Sequence, residues 1–212
     1  MQTTLTLLTG FGETCLIFIL TLIFAIPLGL LIAFGGMSRY KPLSLFIKVL
    51  VWVIRGTPLM LQVMVVFYAP GLLFGWSGLQ CTAATVVAFV INYACYFSVI
   101  FRGGIESVKK GQREAGEVLG FTKSQIFSKI ILFQVIKNIL PSMSNEIITL
   151  VKDTSLARVI AVEEILFVVF NRYVSKGIIW PLFYSGVFYL VFVGLLTLLF
   201  GYAEKKTAFY KE

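Results

Sequence analysis

Histidine is absent from this sequence, and the three cysteines, Cys15, Cys81 and Cys95, show no metal-binding or redox spacing. Without histidine, the chain lacks the commonest general base and the commonest metal ligand. No Gly-x-x-x-x-Gly-Lys-Ser/Thr loop occurs, so the chain is not expected to bind ATP through such a loop. Because there is also no nucleophile–base cluster, we predict no catalytic residue, no metal and no cofactor in this chain.

Charged residues are scarce as well: they make up 13% of the 212 residues, while 58% are hydrophobic. A soluble domain carries about 25% charged residues, and a chain this apolar needs lipid as its solvent. The net charge of +8 comes from basic clusters beside apolar runs, which is typical of membrane topology. We therefore predict that the chain is embedded in the lipid bilayer and does not bind nucleic acid.

Five apolar runs are long enough to cross a bilayer, since a helical span needs about 20 residues. They cover residues 15–36, 42–68, 82–101, 130–150 and 180–203. Together they predict an all-α integral membrane fold with five transmembrane helices, in which residues 1–212 form a single domain. Five helices are too few to enclose a polar pathway, so we expect a dimer of such subunits.

The positions of lysine and arginine predict the orientation, because basic residues favour the cytoplasmic side of a membrane. Basic clusters follow the first and fifth runs and fill the segment between the third and fourth. With five crossings, all three clusters fall on one side. The sequence therefore predicts an outside N-terminus and a cytoplasmic C-terminus.

The most informative polar segment covers about residues 103–129. Its apolar residues recur at helical spacing, and Gly120 interrupts the pattern. The pattern predicts two short amphipathic helices joined by a turn at Gly120-Phe121. Periodicity alone leaves two interpretations open, namely helices lying on the membrane surface and helices that dock a cytoplasmic partner.

Within this segment, Glu114-Ala115-Gly116, Gly120 and Ile130-Ile131-Leu132 resemble the EAA loop of ABC importer permeases, Glu-Ala-Ala-x3-Gly-x9-Ile-x-Leu-Pro. The spacing matches throughout, but Gly116 replaces the second alanine and Phe133 replaces the proline. In a helix, glycine costs about 1 kcal/mol relative to alanine. The resemblance implies that five residues couple this chain to an ATPase, namely Gly111, Glu114, Ala115, Gly116 and Gly120.

Further runs are similar to the polar amino acid branch of the same family, in order and over nearly the whole chain. They are Arg55-Gly56-Thr57-Pro58-Leu59, Ile100-Phe101-Arg102-Gly103-Gly104-Ile105, Lys109-Lys110-Gly111-Gln112-Arg113-Glu114-Ala115, Asn145-Glu146 and Leu150-Val151-Lys152-Asp153-Thr154-Ser155-Leu156. The resemblance implies a type I importer permease in a bacterial cell membrane, paired with a second permease subunit as a homodimer or heterodimer. It also implies two cytoplasmic ABC ATPase subunits, which would carry ATP and Mg²⁺, and an extracellular or periplasmic substrate-binding protein.

Polar side chains inside the apolar runs are candidates for a substrate pathway, because an ionisable residue at the centre of a span costs at least about 2.5–3.5 kcal/mol. Glu146 follows Pro141 near an expected helix break, and a carboxylate there suits the ammonium group of an amino acid. Asn92 and Tyr96 share a helix face, and helix–helix hydrogen bonds are the alternative role for both. The candidate pathway residues are Gln62, Asn92, Tyr96, Ser98, Asn145 and Glu146.

Arg55, Asp153, Thr154 and Ser155 lie in motifs that the resembled permeases share across differing substrates. This favours gating or a scaffold role, and an ion pair between helices is the alternative for Arg55 and Asp153. Many of those permeases have glutamate where this chain has Val99, so the sequence disfavours a cationic substrate.

The sequence thus predicts a transmembrane permease subunit of an ATP-driven amino acid importer, which forms half of the pathway and couples to ATPases. The alternative is a subunit of a secondary transporter driven by an ion gradient. That class places ion ligands at discontinuous helices and needs no docking loop. Copurification of a P-loop ATPase with this chain would separate the two.

The predicted topology is testable by labelling single cysteines after the three native cysteines have been removed. Cysteines at positions 3 and 75 should react with an impermeant thiol reagent in intact cells. Cysteines at positions 110 and 207 should react only after permeabilisation. The opposite pattern would reverse the orientation deduced from lysine and arginine.

Overall fold

The computed structural model describes residues 2–76 and 78–207, which form helices joined by short connections and contain no β-strand. The helices are α1 (Gln2–Gly36), α2 (Lys41–Gly56), α3 (Leu59–Phe74), α4 (Cys81–Glu106), α5 (Lys110–Val118), α6 (Lys123–Ile126), α7 (Leu132–Asp153), α8 (Ile165–Arg172) and α9 (Trp180–Thr207). A π-helical turn, Phe127–Ile131, joins α6 to α7, and 3-10 turns occupy Thr154–Ile160 and Val174–Lys176.

Four helical segments are long and apolar enough to cross a membrane, namely Thr3–Gly36, Cys81–Glu106, Lys123–Ile160 and Trp180–Thr207. Helices α2 and α3 provide a fifth span if they are counted together, and their axes are bent by 105°. The all-α fold with five membrane helices is therefore confirmed, but the continuous helix predicted for the second span is wrong.

The bend between α2 and α3 follows from the Thr57-Pro58 pair. Proline has no backbone N–H and pushes the residue before it out of the α region. Thr57 accordingly has φ −114° and ψ 145°, and Pro58 has φ −62° and ψ 134°. The chain leaves α2 directly after Arg55 and Gly56 and starts α3 in a new direction.

The fourth span begins at Lys123 and not at residue 130, because Thr122 caps it. The Thr122 side chain accepts from the Gln125 backbone N–H, and the Gln125 side chain accepts from the Thr122 backbone N–H. The second helix predicted for the polar segment is therefore the start of this span.

Helix α7 continues through Pro141, so the helix break expected there is absent. The α-helical geometry ends instead at Asp153, before the 3-10 turn.

Helices α1 and α4 pack closely and in parallel. A Cβ atom at Gly29 would lie 2.9 Å from both the Ala94 carbonyl oxygen and the Phe97 Cβ. Further along α1, Gly36 lines the same cavity as Arg102 of α4. Both helices therefore end at the same end of the bundle, which also carries α5 and is called the loop end below.

The α1–α4 contact gives a stability prediction. Gly29→Ala should lower the thermal unfolding midpoint of the purified protein in detergent, because overpacking costs about 1–3 kcal/mol. Gly12→Ala on the same helix has nothing within 4 Å of the added Cβ, so it should leave the midpoint unchanged or raise it. Equal midpoints for the two variants would contradict the close packing.

Candidate functional site

A cavity of about 470 Å³ opens where α2 breaks into α3, and α4 and α7 complete its wall. Its size is within the range of small-molecule sites. The residues that line it are Arg55, Gly56, Thr57, Pro58, Leu59, Asn92, Tyr93, Tyr96, Glu146, Thr149 and Asp153. We call it the break cavity.

The side-chain amide of Gln62 stabilises the break. Its Nε2 donates to the Ile54 carbonyl at 2.7 Å and to the Thr57 hydroxyl at 2.8 Å. Its Oε1 accepts from Asn92 Nδ2 at 3.0 Å, which ties the bend to α4. A broken helix leaves carbonyls without their helical partners, and such groups are costly in a membrane unless they are satisfied within the protein. Gln62 therefore holds the bend rather than facing the break cavity.

Both signs of charge meet in the break cavity. The Arg55 guanidinium lies 4.8 Å from the centre of the Tyr96 ring, in cation–π geometry. Glu146 and Asp153 are seven residues apart on α7, which places them two turns apart on one face. The Tyr93 hydroxyl donates to Asp153 Oδ2 at 2.7 Å.

These three charged groups do not neutralise one another within 4.0 Å. Among the described residues, the salt bridges are Arg102–Glu106 at 2.8 Å and Arg113–Glu117 at 3.3 Å, each between side chains four residues apart. The ion pair considered as an alternative for Arg55 and Asp153 is thus not formed. The cavity has one cationic and two carboxylic groups available to a solute that carries both signs.

The structure brings together some of the predicted site residues and separates others. Asn92, Tyr96, Glu146, Arg55 and Asp153 line the break cavity. Those outside it are Gln62, Ser98, Asn145, Thr154 and Ser155.

Three of the residues outside the cavity have their hydroxyls bonded to their own helices. Ser98 donates to the Cys95 carbonyl, Thr154 to the Val151 carbonyl and Ser155 to the Lys152 carbonyl, each at 2.7 Å. Asn145 is exposed on a face of α7 that does not line the cavity. The structure thus offers these side chains no contact with a solute in the break cavity.

Tyr93 and Thr149 line the cavity but were not among the predicted residues. Tyr93 could have been identified from the sequence, because it lies in the middle of a span, away from the membrane interfaces where tyrosines are most frequent.

Val99 lies in a different cavity, beside Ser98 and Arg102. The valine there therefore does not lower the negative charge of the break cavity.

Helix α5 at the loop end is held against the fourth span through Gly116, its only buried residue. A Cβ there would lie 2.9 Å from Ile126 Cγ1 and 3.0 Å from Ile130 Cδ1. The glycine therefore permits close packing, rather than only loosening the helix. Glu114 and Ala115 are exposed, and Gly120 reverses the chain after the helix with φ +77°.

Hydrophobic side chains are also exposed at this end. Val118 is 87% exposed and Leu119 is 72% exposed, which is unusual for residues so close to a packed helix. Such a patch beside the exposed Glu114 fits a protein contact.

Glu164 is a fully buried acid between the fourth and fifth spans. Burial raises the pKa of its carboxyl to about 7, although hydrogen bonds from the backbone N–H groups of Leu166 and Phe167 oppose this rise. These two bonds, 2.8 and 2.6 Å long, cap the start of α8. Glu164 thus orders this connection and does not line the break cavity.

A polar, charge-lined cavity between membrane-spanning helices, together with an exposed amphipathic helix at one end, is the arrangement expected of a membrane transport subunit. Residues 25–209 match the family described as the inner membrane component of binding-protein-dependent transport systems, and the chain belongs to that family. It is a permease subunit of an ABC importer, as the sequence predicted, and not an enzyme.

Among similar curated proteins, the arginine transport system permease protein ArtQ of Bacillus subtilis is 33% identical over 94% of this chain and 91% of its own length. The L-cystine transport system permease protein TcyB of the same organism is 40% identical over 74% of this chain and 66% of its own. A putative glutamine transport system permease protein of Rickettsia bellii is 31% identical over 89% of this chain and 86% of its own.

Two solved structures support the fold. A chain of an amino acid ABC transporter crystallised with histidines superposes with a TM-score of 0.86 at 29% identity, covering 97% of this chain and 95% of that one. The inward-facing MetNI methionine ABC transporter superposes with a TM-score of 0.71 at 15% identity, covering 96% of this chain and 95% of that one. The second likeness concerns the fold alone.

The role assigned to Gln62 is testable with a substitution of similar size. Gln62→Leu leaves the Ile54 carbonyl, the Thr57 hydroxyl and Asn92 without this partner, which should cost about 1–3 kcal/mol. The thermal unfolding midpoint in detergent should therefore fall. Gln80→Leu, at an exposed site before α4, is the control and should leave the midpoint nearly unchanged. Equal midpoints would show that the amide does not stabilise the bend.

Proposed function

We propose that this chain forms half of the translocation pathway of an ATP-driven amino acid importer, and that the break cavity holds the amino acid during transfer. The observation that carries the proposal is the presence of Arg55, Glu146 and Asp153 in one cavity without a salt bridge between them. An amino acid is a small solute that presents a carboxylate and an ammonium group together, so it can engage both kinds of partner.

Each group of the cavity has a role in this proposal. The Arg55 guanidinium is a planar donor that suits a carboxylate, and the Tyr96 ring beneath it orients it. Glu146 accepts from the ammonium group of the solute. Asp153 is oriented by the Tyr93 hydroxyl and supplies a second negative charge near the first.

The charge balance of the cavity indicates a substrate class. One guanidinium and two carboxylates leave an excess of one negative charge when all three are ionised. A second carboxylate on the solute would meet repulsion there, whereas a neutral or cationic side chain would not. The cavity therefore favours neutral or cationic amino acids over acidic ones. The relatives named as arginine and glutamine permeases agree with this preference. L-cystine, named for another relative, carries two carboxylates and two ammonium groups and does not discriminate.

The proposal assigns energy coupling to partner chains. Two cytoplasmic ABC ATPases, which bind ATP and Mg²⁺, would contact the α5 surface formed by Glu114, Val118 and Leu119. A second permease subunit would close the pathway, and an external substrate-binding protein would deliver the solute. This arrangement places the loop end in the cytoplasm and the N-terminus outside.

A transporter driven by an ion gradient would also use a discontinuous helix such as α2–α3. The exposed amphipathic α5 and the family of the chain support an ATPase-driven system instead.

The substrate role of Glu146 is testable in proteoliposomes that contain the complete complex. Glu146→Gln keeps the shape of the side chain and removes its charge. Because a hydrogen bond to a charged group contributes about 1.5–3 kcal/mol, initial uptake should fall roughly tenfold to a hundredfold. Complex assembly and basal ATP hydrolysis should stay near those of the parent.

Glu163→Gln is the control, because Glu163 is exposed and lies outside the cavity. Its uptake should match that of the parent. If Glu146→Gln prevents assembly, Glu146 is a structural residue, and if uptake is unchanged, the solute does not depend on this charge. Either result would contradict the proposed site.

A further inference from the structure

Helix α2 carries three basic residues at intervals of seven, Lys41, Lys48 and Arg55. Seven residues make nearly two helical turns, so the three side chains form one stripe. At 1.5 Å per residue, neighbouring members are about 10 Å apart and the stripe is about 21 Å long. It runs from the loop end to the break cavity, and we call it the basic stripe.

The basic stripe connects three cavities in series. Arg55 lines the break cavity and also a second cavity of about 220 Å³ between α1, α2 and α4. Lys48 lines the second cavity and also a third of about 670 Å³ at the loop end, which Lys41 borders as well. Neighbouring cavities thus share one basic residue, Arg55 for the first and second and Lys48 for the second and third.

The second and third cavities differ in charge from the first. No acidic residue lines either of them within the described chain, whereas Glu146 and Asp153 line the break cavity. The second cavity adds Arg102, whose guanidinium is paired with Glu106. The route away from the break is therefore positive, while the break itself carries both signs.

Lys48 makes no salt bridge within 4.0 Å among the described residues. Lys48 lies about 10 Å from either end of the stripe. An unpaired ammonium group at this depth is costly if it faces hydrocarbon, but it is tolerated if it faces water. Lys48 is exposed and lines the second and third cavities. Leu45 and Trp52, on the same face of α2, are 64% and 75% exposed and line these cavities as well, whereas Val49, rotated by about 100° from Lys48, lines neither. The lysine therefore belongs to the cavity side of the helix.

We propose that the basic stripe lines an aqueous exit route from the break cavity to the loop end and that it attracts the carboxylate of the transported solute along this route. The carboxylate passes from Arg55 to Lys48 and then to Lys41, while the ammonium group leaves Glu146. The inference rests on the proposed function in one respect, because it takes the solute to carry a carboxylate. Lys48 is thus a positioning residue for solute release.

The first test measures accessibility and does not depend on transport. Lys48→Cys and Val49→Cys are made in the full complex without native cysteines and are reconstituted in nanodiscs. They are then treated with a negatively charged and a positively charged methanethiosulfonate. Cys at position 48 should react, and the anionic reagent should be favoured roughly threefold or more after correction for its reactivity with free thiol.

Val49→Cys is the matched control at nearly the same depth and should react with neither reagent. If position 48 is as unreactive as position 49, Lys48 faces lipid and the route does not exist. If it reacts without preferring the anionic reagent, the route does not attract carboxylates. Both results would overturn the proposal.

The second test measures uptake in proteoliposomes, with assembly checked by copurification of the ATPase. Lys48→Glu should lower the initial uptake of the amino acid about tenfold, because a negative charge at this position repels the carboxylate. Lys48→Arg keeps the positive charge and should retain the uptake of the parent. If Glu146→Gln impairs uptake but Lys48→Glu does not, the break cavity stands and the exit route is wrong. If Lys48 acts only when anionic lipids are present, it binds lipid headgroups, which also overturns the proposal.

Discussion

The hydrogen bonds of the Gln62 amide are the interaction on which the rest of the structure depends. They satisfy the backbone at the end of α2 and join the bend to Asn92 on α4. Without them, the Ile54 carbonyl would keep only the weaker bond from the Thr57 hydroxyl at 3.3 Å, and Asn92 would lose its partner, at a cost of about 1–3 kcal/mol. The bend permits α3 to turn away from α2, and the space left at the corner becomes the break cavity. Arg55 stands at that corner because the helix ends one residue after it.

The charged groups of the cavity are tolerated because they share a polar space inside the protein. An isolated charge at the centre of a span costs at least about 2.5–3.5 kcal/mol, so three such residues need water, a solute or polar neighbours. Tyr93 and Tyr96 supply the neighbours, through a hydrogen bond to Asp153 and a cation–π contact with Arg55. The same charges that make the site costly without a solute make it suitable for a zwitterion.

Local patterns predicted the spans, the polar loop helix and all three charged residues of the cavity, because apolar length and charge within apolar runs are visible in a linear sequence. Features that depend on contacts between distant residues were not predictable. Gln62 was expected in the pathway, yet its partners lie across the bend and on α4. Gly116 was expected to loosen α5, but Ile126 and Ile130 occupy the space beside it. The helix break expected at Pro141 occurs at Pro58 instead, since Thr57 adopts an extended conformation there and Pro141 is accommodated within α7.

The central claim is that one cavity holds both charged groups of an amino acid, and equilibrium binding to the purified permease–ATPase complex tests it most directly. Calorimetric titration without the external binding protein would compare three ligands: the amino acid, its carboxamide, which lacks the carboxylate, and its deaminated acid, which lacks the ammonium group. The account predicts that each altered ligand binds at least about tenfold more weakly than the amino acid, since each loses one charge-assisted contact. Equal affinity for all three ligands would contradict it.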